Sequence, residues 1–225
     1  MTEPPTTALV RAGARFAAID VGSNSIRQIV ADVTPDGSIR VVDEMKAQPR
    51  LGMGVHESGE LGADSMNRAV EALGRMAELA RQFGAERIEA VATSAVRDAA
   101  NARAFLDRVR AETGLEVRVL DGEEEARLSF RSALAHFDLG AGRTVLLDIG
   151  GGSLEIVLSA GGVIDRLVSL PLGALRLTEQ FLRDGVTPDR LRALRREVRG
   201  RLRREIPARD WRRARVIGSG GTFTN

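Results

Sequence analysis

Two short turns carry the residue types that phosphate chemistry asks for. Asp20-Val-Gly22-Ser23-Asn24-Ser25 and Asp148-Ile-Gly150-Gly151-Gly152-Ser153 each follow an apolar strand and lead into another. A turn of Gly and Ser between strands offers backbone N–H groups that converge on an anion with little side chain in the way. Asp20 and Asp148 stand where the strands enter these turns, placed to hold a hydrated Mg²⁺ or to orient a water. Mg²⁺ keeps several of its waters and takes one or two carboxylates, so a sparse acidic set is enough. A plain hairpin with Asp-Gly turn chemistry also produces one such stretch. Two copies with the same Asp and Ser spacing favour phosphate binding.

Three further segments hold candidates. Glu155 lies two positions past Ser153. It either faces Asp148 across the hairpin, sharing a metal or a water, or is a solvent-facing strand residue, and spacing leaves both open. Glu123, Glu124 and Glu125 open a helix after Asp121-Gly122. Acidic residues there commonly serve the helix dipole; the functional alternative is one glutamate leaning into a cleft as general base. Thr93, Ser94 and Arg97 sit where a strand gives way to a helix, as an anion clamp or as an N-cap beside a surface arginine. His56 and His136 have no partner at metal-ligand spacing.

The elements that must position these residues repeat. Phe16–Val33 and Thr144–Leu158 both read as strand, glycine turn, strand, with Asp20 and Asp148 separated by 128 positions. Each is followed by a second turn, at Pro35–Gly37 and Ala160–Gly162, and by a third strand, Ser38–Val42 and Val163–Leu170. That spacing is too long for a solenoid and suits two similar subdomains facing a cleft. Between and after them, periodicity predicts helices over 64–83, 98–113, 123–136, 173–182 and 189–206, and strands over 87–92 and 116–120. A last strand from Val216 runs into Gly218-Ser-Gly220-Gly221-Thr222, and the chain stops at Asn225. The division expected is a loose tail over 1–15, one lobe over 16–130 and a second over 131–225 that is incomplete at its end. The lobe boundary falls between Glu125 and Gly142.

Composition narrows the classes. Hydrophobic residues make up 43% and charged residues 28% of 225, the profile of a globular protein. With no cysteine, disulfides and thiolate metal sites are excluded and a reducing, cytoplasmic setting is expected. Residues 1–15 lack the apolar core of a signal peptide, and no run approaches the ~20 apolar residues of a membrane span. Lys46 is the one lysine among 33 basic residues, and the arginine-rich run 192–215 reads as a solvated helix face. No tyrosine and one tryptophan, Trp211, leave little for stacking bases, so nucleic-acid binding is not expected.

Seven motifs occur in order: Asp20-Val-Gly-Ser-Asn-Ser25, Arg50-Leu-Gly-Met-Gly54, Ala92-Thr-Ser-Ala-Val-Arg97-Asp, Gly122-Glu-Glu-Glu-Ala-Arg127-Leu, Asp148-Ile-Gly-Gly-Gly-Ser153-Leu-Glu155, Ser169-Leu-Pro-Leu-Gly173-Ala and Gly218-Ser-Gly-Gly-Thr222. Together they resemble the exopolyphosphatase and guanosine pentaphosphate phosphohydrolase family, Ppx/GppA. The resemblance runs from about Phe16 to the last residue. It implies an α/β, actin-like fold of two ribonuclease-H-like lobes with duplicated mixed sheets, the second lobe truncated here. It also implies a catalytic Glu125 that polarises a water for in-line attack on a terminal phosphorus, and Asp148 and Glu155 as an acidic pair tied to Mg²⁺. Arg97 is implied as a contact to substrate phosphates. Gly22, Ser23, Asn24, Ser25, Gly150, Gly151, Gly152, Ser153, Gly220, Gly221 and Thr222 would bind substrate, and Asp20 would join the metal set. The activity implied is release of terminal phosphate from inorganic polyphosphate. The alternatives are guanosine pentaphosphate hydrolysis and a non-catalytic sensor of polyphosphate or guanosine tetraphosphate. A homodimer is a further expectation from relatives that carry extra C-terminal domains. Leu154 stands where threonine is expected from the resemblance.

Overall fold

A computed structural model of the chain describes residues 13–34, 37–206 and 212–224. Most of the expected tail, part of the turn at Pro35–Gly37, and Trp211 lie outside the described residues. Three strands, β1 (Arg15–Val21), β2 (Ile26–Val33) and β3 (Ile39–Ala47), form an antiparallel meander. Alternation decides its faces: Ala17, Ile19 and Val21 are buried on one side of β1, whereas Ala18 and Asp20 open on the other. β4 (Arg87–Ala92) and β5 (Val117–Val119) add in parallel, giving the order β3-β2-β1-β4-β5. Parallel neighbours need crossovers, and helices supply them. After β3 come a single turn, α1 (Val55–Ser58), and the long α2 (Ala63–Gln82); α4 (Ala102–Thr113) precedes β5. Leu73 and Met76 of α2 and Phe105 and Val109 of α4 bury against Ile19, Val21 and Ile26.

β3 is longer than the sequence suggested, because its charged half, Asp43–Ala47, completes the ladder with β2. The helix expected over 98–113 starts only at Ala102, as α4, and a separate turn, α3 (Ser94–Arg97), precedes it. The break has a cause. Asn101 uses its side chain to accept from Leu61 N (2.8 Å) and donate to Leu61 O (3.0 Å), and Ala100 N donates to Gly59 O. Those bonds to the preceding loop replace the helical ones.

The second sheet repeats the plan. β6 (Arg143–Ile149), β7 (Leu154–Ala160) and β8 (Val163–Leu170) form the meander, and β9 (Arg215–Ser219) adds parallel to β6, giving β8-β7-β6-β9. α5 (Gly122–His136) covers one face, where Ala126, Phe130 and Ala133 meet Leu146, Val157 and Ile217. Residue 130 therefore lies within a helix packed on the second sheet. On the other face, Leu177 of α6 (Ala174–Leu182) and Val198 and Leu202 of α7 (Pro188–Glu205) pack on Val145, Leu154 and Ile156. β7 is thus buried on both faces from Leu154 to Ser159. The last motif forms a turn and a four-residue helix, α8 (Gly221–Thr224). Among the described residues no helix is long and apolar enough to cross a membrane.

Candidate active site

The sheets set the acidic residues in register. Ser219, Asp148, Glu155 and Ser169 stand opposite one another across β9, β6, β7 and β8. Directly opposed residues share a face, and Asp148, two positions from Leu146, shares its face, so this row lies at the cleft end of the layer α5 covers. Glu155 is accordingly no solvent-facing residue: it is buried beside Asp148 and accepts from Ser169 Oγ at 2.8 Å. Ser129 of α5 donates to Asp148 Oδ2 at 2.5 Å. In the first sheet the matching row is Asp20, Arg27 and Lys46 across β1, β2 and β3.

The first turn of α5 sorts its three glutamates. Asp121 and Glu124 close a capping box, Asp121 Oδ1 accepting from Glu124 N at 2.8 Å and Glu124 Oε2 from Asp121 N at 3.2 Å. Glu124 also meets Arg118 at 2.8 Å, and Glu123 lies 3.7 Å from Arg127. Glu125 is left for the cleft, where its Oε2 accepts from Arg97 Nη1 at 2.9 Å. The same Nη1 donates to Leu120 O at 2.9 Å, so Arg97 joins the glutamate rather than the cleft lining.

The turns present amides for a reason visible in their carbonyls. Gly22 N donates to Ser25 O (3.1 Å) and Gly150 N to Ser153 O (3.0 Å), the same closing bond in both copies. In the second turn, the carbonyls of Gly150, Gly151 and Gly152 accept from the N-terminal amides of α6, at Ala174, Leu175 and Gly173 respectively. A trans peptide points its N–H opposite its C=O. The N–H groups of Gly151, Gly152 and Ser153 therefore face away from α6, and none has a hydrogen-bond acceptor among the described residues. In the first turn, Ser23 O and Asn24 O accept from Gly52 N and Arg50 N, which turns the amides of Asn24 and Ser25 away in the same manner.

These pieces enclose a cleft of about 730 Å³, within the usual range for small-ligand sites. Asp20, Gly22, Ser23, Asn24, Ser25, Glu125, Asp148, Gly150, Gly151, Gly152, Ser153, Glu155, Gly220, Gly221 and Thr222 all line it. Of the expected site residues Arg97 does not, and of the candidate clamp Thr93 lines it but Ser94 does not. Arg27, Lys46 and Gln48 line it as well, and spacing had not singled them out. Their signal lay in the β2–β3 register, which the short reading of β3 hid. Neither Arg27 nor Lys46 has an ion-pair partner among the described residues. Leu154, in the position where threonine was expected, packs in the core toward α6 and α7 and takes no part in the cleft.

Burial and neighbouring charge raise three carboxyls of this cluster, those of Asp20, Glu125 and Glu155. Burial, then the charge of Glu125, pushes the Glu155 carboxyl up to about 8, against the pull of hydrogen bonds from Ser153 and Ser169. Burial also raises Glu125, with Asp20 and Asp148 adding to the rise and Arg97 opposing it. Asp20 opens to the cleft water, yet the surrounding protein and the Asp148 charge raise it too, with Arg27 opposing. A cation would offset the charge of such a cluster. Among the described residues no three Asp, Glu, His or Cys side chains are grouped so that together they could hold a metal ion. A dication held by one or two carboxylates, waters and substrate oxygens fits the donors present.

Residues 29–223 match the model of the Ppx/GppA phosphatase family. The chain belongs to that family. It is similar to exopolyphosphatase 1 of Mycobacterium tuberculosis, at 39% identity over 76% of this chain and 49% of the relative. It is 35% identical to the guanosine-5′-triphosphate,3′-diphosphate pyrophosphatase of Photobacterium profundum over 75% of this chain and 34% of that one. The chain thus spans half or less of the length of these two Ppx/GppA relatives. Among solved structures, an exopolyphosphatase from Cytophaga hutchinsonii superposes with a TM-score of 0.86 at 28% identity, covering 93% of this chain and 68% of that one. The fold is the α/β, actin-like one of the Ppx/GppA family, with two mixed sheets and flanking helices.

Proposed function

We propose that this chain carries the hydrolytic centre of a phosphohydrolase that releases the terminal phosphate of inorganic polyphosphate, with Glu125 as general base. The observation that carries this is the placement of Glu125 in one cleft with three outward amides of the second turn. The amides of Gly151, Gly152 and Ser153, with Asn24 and Ser25 opposite, receive phosphate oxygens. Arg27 and Lys46 meet the charge of the chain behind the terminal group. Glu125 takes a proton from a water as its oxygen bonds to the terminal phosphorus. The bridging P–O bond breaks, orthophosphate leaves, and the shortened chain carries away the negative charge. Burial raises the Glu125 carboxyl, which makes its carboxylate a stronger base, and Arg97 opposes the rise. One or two of Asp20, Asp148 and Glu155, with waters and substrate oxygens, would hold Mg²⁺, which when bound would neutralise charge on the transferring group. A cytoplasmic location accords with a chain free of cysteine.

The second reading, removal of the terminal 5′-phosphate of guanosine pentaphosphate, rests on the Photobacterium relative and uses the same anhydride chemistry. Phosphate release from polyphosphate and from guanosine pentaphosphate, measured side by side with Mg²⁺, separates the two. Glu125→Gln is expected to lower kcat by about 10²–10⁴-fold on the true substrate. Equal rates in wild type and Glu125→Gln would sink the assignment of the base.

A further inference from the structure

α6 and its C-cap residue turn three charged side chains, at 176, 179 and 183, toward α1 and the loops beside the first sheet, from positions that share one side of a helix. Arg183 meets Glu57 at 2.7 Å, and Glu179 accepts from Gly54 N at 3.1 Å. Arg176 does more. Its Nε donates to Gly152 O at 3.0 Å, while its Nη2 pairs with Asp98 and lies 3.5 Å from Ser94 Oγ. Gly152 O thus accepts from both Gly173 N and Arg176, which fixes the peptide whose N–H is that of Ser153. Asp98 follows Arg97 in the chain, and their charged groups come within 3.9 Å. Arg97 in turn holds Glu125.

Resting on the hydrolytic reading above, we infer that Arg176 is a positioning residue. Through Asp98 and Arg97 on one side and Gly152 on the other, it fixes the distance between the base Glu125 and the phosphate-binding amides of the second turn. The groups form one contiguous series, Gly152–Arg176–Asp98–Arg97–Glu125, that crosses from the second sheet to the first and returns. A guanidinium suits the task because its planar fork serves a carbonyl and a carboxylate at once, which a single ammonium cannot do in the same geometry. Removing Arg176 also leaves Asp98 free to draw Arg97 away from Glu125. Only 18% of the Arg176 side chain is exposed, so water does not easily replace it.

The test uses Arg176→Lys, Arg176→Met and Asp98→Asn in this chain with Mg²⁺, reading kcat and KM on the better substrate, thermal midpoints, and amide hydrogen exchange over residues 52–55 and 150–154. Misplacement of about 1 Å costs on the order of 10²-fold, so Arg176→Lys should keep its midpoint and KM but lose about 10- to 100-fold in kcat. Arg176→Met should lose as much or more, and exchange should quicken in the two named segments. If activity in Arg176→Lys follows the melting midpoint alone, or if kcat is unchanged in stable variants, the inference is overturned. If Arg176→Met does not fold, Arg176→Lys and Asp98→Asn still decide the matter. A wild type inert on both substrates whose segments 52–55 and 150–154 loosen together in Arg176→Met would fail the hydrolytic reading yet keep the structural coupling. Unchanged exchange there would remove the coupling itself.

Discussion

At the residue scale, the informative group is Glu155. Its neighbour in register is another carboxylate, it is buried, and its folded-state carboxyl is pushed up to about 8. In the unfolded chain a glutamate titrates near ~4.3. The group therefore favours folding fully below the unfolded value, and that contribution is lost as pH rises toward 8. In chelator, Glu155→Gln should melt like wild type near pH 4.5 and above it at pH 8–9. The gain should grow by no more than about 1.4 kcal/mol per pH unit. Mg²⁺ should narrow the difference by stabilising wild type more than the variant. Thermal melts across pH, with and without Mg²⁺, check both statements; a variant less stable than wild type at pH 9 in chelator would contradict them. Much of this row was legible in the sequence. Asp148 and Glu155 flank one tight turn, and a hairpin that short allows few registers. The contact of Arg97 with Glu125 was not, because 28 positions and a change of sheet separate them.

The element scale is governed by how closely backbones meet. A Cβ on Gly173 would lie 2.3 Å from Gly152 C and 2.4 Å from Gly151 C. Both obstacles are main chain, so neither can swing aside. Gly173→Ala must part the second turn from the start of α6, breaking the bonds that orient its amides. The expected cost is about 1–3 kcal/mol, as for overpacking, with a larger proportional loss of phosphate release than of stability. Denaturant unfolding and kinetics on the same sample would show it, and a variant of native stability and rate would refute it. Element boundaries also show what periodicity misses. The amphipathic stripes of α2 and α7 were plain because burial on one face dictates them. The break between α3 and α4 was hidden because it depends on Asn101 reaching a loop 40 positions earlier. The charged end of β3 looked like a loop since neither hydrophobicity nor turn residues marked it.

The whole molecule is two copies of one plan, meander plus parallel strand, facing each other through glycine turns. That duplication was the clearest message of the sequence, since each copy had the same strand–turn–strand wording. What joins the copies is polar and uneven in value. Arg183 and Glu57 are half exposed, at 53% and 55%, and water competes for both. Arg183→Ala should change stability by about 0–1 kcal/mol and leave phosphate release within twofold. Chemical denaturation would show a larger value if that pair carried the junction.

The one lysine of the chain, Lys46, lies exposed in the cleft wall. An acylating reagent that ignores guanidinium groups therefore finds a single side-chain target, besides the α-amino group. Attachment of a reporter dye needs no engineered cysteine and lands on the surface a polyanion would cover. Bound tripolyphosphate should slow that acylation, and mass spectrometry of the labelled peptide would read occupancy without any turnover.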